Sequence, residues 1–145
     1  MHAFKPWRRR RPAVRLAALT VALAAAFAAA GWPALASDTF PFGSELMLDT
    51  APMHGSKRIP MIEIEDDGTA SIDLWCASVK GQATVNDAAI TIVPGDAPAA
   101  PCDPDRQARD ADLLAKLAQV TGWRRSGEVI ELTGAAPLRF RLMTN

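Results

Sequence analysis

Residues 59–75 carry the pattern that most restricts what this chain can fold into: two short alternating runs joined by a tight turn. In the first, Met61, Ile62 and Ile64 are apolar while Glu63 and Glu65 point the other way. In the second, Ala70, Ile72 and Leu74 share one face and Ser71, Asp73 and Trp75 the other. Successive strand side chains point to opposite faces, so this spacing predicts a hairpin with one buried face. Between the runs, Asp66-Asp67-Gly68 supplies residues that tolerate the positive φ of a tight turn.

The same grammar extends along the chain. A short first strand is expected over 45–49, followed by a polar loop over 50–58. A second hairpin is expected over 81–86 and 88–93, turning at Asn86-Asp87, with the nearly all-apolar 89–93 as a central strand. Residues 94–101 (PGDAPAAP) are too rich in Pro and Gly for regular structure and read as a crossover loop. One helix follows. Asp103 is its N-cap, Pro104 its first position, and Asp105 suits the positive end of its dipole. Leu113, Leu117 and Val120 form its apolar stripe beside Leu114, and Thr121-Gly122 is expected to end it. Strands at 123–125, 128–132 and 138–143 complete the chain. Five strands, one helix and three strands, linked mostly by hairpins, predict a mainly β (α+β) fold. The expected architecture is a small antiparallel sheet, curled or closed into a barrel of about eight strands, with one helix packed on it.

The first 36 residues are of another kind. Lys5, Arg8, Arg9, Arg10, Arg11 and Arg15 lie among the first 15 residues with no acid, an uncharged alanine-rich run covers 16–36, and Ala34-Leu35-Ala36 closes it. A basic start, an apolar middle and a small-x-small exit make a secretory signal. Cleavage is expected between Ala36 and Ser37, leaving 37–145 as one domain, periplasmic or secreted. The alternative is an uncleaved anchor, since the apolar run approaches the ~20 residues that span a bilayer. Removing the signal changes the charge balance. Of 16 basic and 16 acidic residues, six basic ones lie in the signal, so the mature domain carries 10 against 16, a net of −6. An acidic domain with no basic cluster argues against nucleic acid as a partner. Both cysteines, Cys76 and Cys102, fall in the mature part. In a small exported domain an even pair predicts a disulfide, against the alternatives of two free thiols or half of a metal site.

Taken together, several of these features resemble the META domain, the fold of HslJ-like heat-shock-associated envelope proteins. They are Asp67-Gly68 running to Trp75-Cys76 as a DG-to-Cys hairpin, Gly81, Cys102, and an acidic helix with Leu113, Leu114 and Leu117. Trp123 to Leu132 (a W…G…I-x-L strand pair) and Leu138-Arg139-Phe140 complete the set. The family usually reads Gly-Cys-Asn at the first cysteine, where this chain has Trp75-Cys76-Ala77. The resemblance implies a small mainly β envelope or secreted domain, associated with stress tolerance and without established catalytic residues.

Chemistry-bearing residues are sparse. His54 is the one histidine of the mature domain, and neither Ser44 nor Ser56, with Asp49 completing a triad, sits in a nucleophile-elbow pattern. Met47, Met53, His54 and Met61 are a conceivable soft-metal set, but methionine more commonly fills cores. Glu63 and Glu65 on a solvent-facing strand read as solubilising charge. No catalytic residue, cofactor or metal is therefore expected. Trp75 and Trp123 are expected to pack in or beside the core; if Trp75 instead faces out, it joins Phe40 and Phe42 as a candidate partner contact, since interfaces favour such side chains. The leading expectation is a non-enzymatic envelope protein that binds another protein. The alternatives are a barrel carrying a small ligand and a periplasmic protease inhibitor that inserts residues 37–42 into its target.

Overall fold

In a computed structural model, residues 39–99 and 101–144 are described. The expected signal segment and its cleavage point lie outside them. Among the described residues, eight strands form a closed antiparallel barrel in simple sequence order. They are β1 (Leu46–Leu48), β2 (Met61–Ile64), β3 (Thr69–Asp73), β4 (Ser78–Asn86), β5 (Ala89–Pro94), β6 (Val120–Ser126), β7 (Val129–Gly134) and β8 (Leu138–Leu142). The helix α1 (Pro104–Leu117) lies between β5 and β6 in sequence. Closure comes from β1 pairing with β8, Leu46 opposite Leu142 and Leu48 opposite Phe140.

Alternation puts one side chain in two into the lumen. Leu46, Ile62, Ile64, Ala70, Ile72, Ile90, Ile92, Ile130, Leu132 and Phe140 are each 0–2% exposed, and Leu74 and Leu117 join the same cluster. An eight-stranded barrel is about as wide as its own side chains can fill, and aliphatic residues from every strand fill this one. Each such side chain contributes ~1.5–3 kcal/mol by leaving water.

The β2–β3 hairpin forms as the sequence predicts. Gly68 takes φ +86°, and a Cβ there would approach the Ala83 carbonyl oxygen to 2.7 Å, so both conformation and space require glycine. Asp67 accepts a 2.8 Å bond from the Thr69 backbone N–H. Its pKa is held below the ordinary 3.8, chiefly by that bond and then by the Thr69 side chain. Because the folded value is the lower one, the turn's contribution is complete above the ordinary carboxylate range and is lost as pH falls through the folded pKa. An NMR titration of the Asp67 carboxyl should therefore show a midpoint below 3.8; a midpoint at or above that value would mean the turn bond does not persist in solution.

Two expectations need correction. The helix stops at Leu117 with Ala118 as its C-cap, and Val120 opens β6 instead of extending the apolar stripe. Val120 is still buried, but from a strand, where a β-branched residue is at ease. Gly122 is not a helix terminator. It lies next to a register irregularity in β6, where a Cβ would come within 2.8 Å of Thr133 Oγ1. Residues 89–93 do form a strand flanked on both sides, β5 between β4 and β6, but only one of its faces is buried. Ile90 and Ile92 face in, Val93 is 62% exposed, and β5 is registered with β6 at Ala89 opposite Gly122. A single-layer barrel buries one face of each strand, so a nearly all-apolar strand leaves half its side chains outside.

Candidate functional site

The two ends of the barrel are built differently. At the end where β1, β3, β5 and β7 finish, the β3–β4 connection (residues 74–77) is fastened to α1 twice. Cys76 is bridged to Cys102, 26 residues away, just before the helix N-cap. Asp110, on the buried side of α1 at 5% exposure, accepts bonds from the backbone N–H groups of Trp75 (2.9 Å) and Cys76 (3.0 Å). A carboxylate that receives two N–H donors satisfies its own charge and two backbone groups in a water-poor place. The sequence reading missed Asp110 because the helix pattern DADLL reads as an ordinary acidic face, and only the fold shows that this acid points inward.

Trp75 also departs from the expected alternation. β3 ends at Asp73, the chain turns with the Leu74 N–H bonded to the Ala77 carbonyl, and both Leu74 and Trp75 are buried. The Trp75 indole Nε1, also buried, has no hydrogen-bond acceptor among the described residues.

The opposite end is closed by aromatics. Phe40 packs edge-on against Trp123 with ring centroids 5.0 Å apart, and tilted against Phe42 at 5.0 Å. Trp123 donates its indole N–H to the Asp87 carbonyl oxygen. Phe40 is buried, while Phe42 is 38% exposed and stands at an open cleft of about 470 Å³ shared with Val85, Trp123, Arg124 and Arg125. Of the three candidate contact residues, Trp75 and Phe40 are thus in the core cluster, and Phe42 alone presents a substantial face to solvent.

The residues considered for chemistry are not assembled. His54 is exposed, Ser56 Oγ accepts from the Arg58 N–H, and Asp49 is engaged by Arg141 at 3.0 Å. Met47 and Met61 sit opposite each other on β1 and β2, while Met53 packs against the core. Glu63 and Glu65 are half-buried on the outer face of β2 and just beyond it. Among the described residues no three His, Cys, Asp or Glu side chains group as a metal site, and no helix is long and apolar enough to cross a membrane.

Comparison with known proteins agrees with the architecture. The META domain family matches residues 44–144. A structure solved by NMR is similar, with 15% identity and a TM-score of 0.55 over 68% of this chain and 88% of that one, a likeness of fold alone. No curated protein matches the chain.

Proposed function

This chain belongs to the META domain family, and from that premise we propose that it is an exported, non-enzymatic envelope protein that supports stress tolerance by binding another protein. The observation that carries this reading is the division of the molecule into a solid interior and an aromatic end. The lumen is filled by aliphatic side chains from all the strands, which leaves recognition to the surface. There, Phe42 exposes an apolar ring at the rim of a cleft that holds two arginines. Aromatic and arginine side chains are the types that anchor protein interfaces. Export is supported by the basic, apolar and small-residue order of residues 1–36 and by the Cys76–Cys102 bridge, since such bridges persist in oxidising compartments.

The same features weigh against the alternatives. A carrier that held its ligand inside the barrel would have to displace the side chains that fill it among the described residues. An inhibitor that inserts its N-terminal arm would first have to free Phe40 from Trp123.

The test is genetic and biochemical together. A strain of the source organism lacking the protein should tolerate envelope stress poorly, and wild type should restore growth. Phe42→Asp should fail to restore it and should lose a partner that wild type retains, while folding normally by circular dichroism. Full rescue by a folded Phe42→Asp protein would remove the aromatic cleft as the contact. Recovery of a protein that begins at Ser37 from the envelope fraction would establish export, and recovery from the cytoplasm alone would refute it.

A further inference from the structure

The unpartnered indole of Trp75 and the charges around it point to a second site, at the helix end of the barrel and remote from Phe42. A groove of about 320 Å³ runs between α1 and the ends of β1 and β8, and Trp75 is one of the residues that line it. Its apolar wall includes Leu48, Leu113 and Leu138. Its charged residues divide unevenly. Asp112 is held by Lys116 at 2.8 Å, and Asp49 by Arg141 at 3.0 Å. The guanidinium groups of Arg109, from α1, and Arg139, from β8, have no hydrogen bond or ion pair among the described residues. The acids of the groove are thus engaged while two guanidinium groups remain open. A buried N–H without an acceptor costs ~1–3 kcal/mol, and native structures leave few such groups unexplained.

We propose that this groove binds a small organic carboxylate, with Arg109 and Arg139 pairing with its charge, its apolar body against the leucines, and an oxygen accepting from Trp75 Nε1. Guanidinium forks match a carboxylate geometrically. The apolar wall selects a carboxylate with a hydrocarbon body over an inorganic oxyanion. The indole nitrogen has almost no exposed surface of its own, so side chains lining the groove must shift for the ligand's oxygen to reach it. This site is independent of the partner reading, because Phe42 lies at the other end of the barrel.

The probe is benzoate, titrated into ¹⁵N-labelled protein as isolated, with the indole N–H signals as the readout. The Trp75 indole signal, assigned from its loss in Trp75→Phe, should move downfield and saturate. The Trp123 indole, already bonded to Asp87, should stay in place as an internal control. Arg109→Gln and Arg139→Gln replace exposed residues, so their folds should be intact, and each should weaken binding about tenfold or more, the factor that ~1.4 kcal/mol corresponds to. Phosphate should leave the Trp75 signal unmoved. The proposal is overturned by the absence of a saturable benzoate shift, by unchanged affinity in both arginine variants, or by phosphate moving Trp75 as strongly as benzoate does. A Trp75 signal that reports a bound water and ignores benzoate overturns it as well.

Discussion

Asp110→Ala should lower the unfolding free energy by about 3 kcal/mol, the sum expected for two bonds to a charged acceptor at a site where water is a poor substitute. The side chain is 5% exposed, and its two oxygens receive the N–H groups of Trp75 and Cys76 across 35 and 34 residues of sequence. Alanine removes both acceptors and leaves two donors facing a methyl group. One of them, at Trp75, is fully buried. In a domain of this size the melting temperature should fall by roughly 10 °C or more. Asp110→Asn keeps one acceptor oxygen and brings an NH₂ group against the other donor, so its loss should be smaller than that of alanine but still clear. Urea denaturation with an unchanged m-value is the measurement. A loss under about 1 kcal/mol for alanine would show that water replaces the carboxylate.

Removing the disulfide should cost a similar amount by a different route. Cys76 and Cys102 are 26 residues apart, a separation for which the chain-entropy account gives about 3.5 kcal/mol of lost stability in Cys76→Ala/Cys102→Ala. On that account the bridge acts on the unfolded chain, whereas Asp110 acts in the native one. The two losses should therefore add to within about 1 kcal/mol, although both devices fasten the same loop to the same helix. Their total of about 6.5 kcal/mol exceeds the lower end of the ~5–15 kcal/mol that holds a small domain folded, so the triple variant should be largely unfolded at 37 °C. A coupling well beyond 1 kcal/mol would show instead that the bridge also sets the native position of residues 74–77, and that Asp110 depends on it.

The barrel was open to inference because its local signals agree with one another. Ile62, Ile64, Ala70 and Ile72 keep strict alternation on both sides of Asp67-Gly68, and short hairpin connections force neighbours in sequence to be neighbours in the sheet. The N-terminus of the helix was equally plain, since Asp103 does accept from the Asp105 N–H and Pro104 does occupy the first turn. Its C-terminus was not. A helical stripe and the start of a strand both place an apolar residue at Val120, and local periodicity does not separate them when strand pairing with Gly134 decides the matter.

The candidate sites were less legible for a related reason. Phe42 and the cysteine pair stand out by residue type; strand alternation alone would turn Trp75 outward, but its core reading is the one the structure bears out. Arg109, Asp110 and Arg139 look like ordinary surface charges. Nothing local distinguishes Asp110 from Asp112 two residues on; the helix turns one inward to meet a loop 35 residues away and the other outward to Lys116.

The sequence by itself determined the hairpins, the helix after the Pro-rich loop, the cysteine pair, and the META domain pattern, because each depends on residues within a turn or two of one another or on a spacing that one core can satisfy. The tertiary structure alone decided that the sheet closes β1 onto β8, that Trp75 and Asp110 meet inside the helix end, and that two arginines distant in sequence share one groove. Those outcomes depend on which side chains leave water together and on which buried donors find acceptors, and neither is fixed until the whole chain has folded.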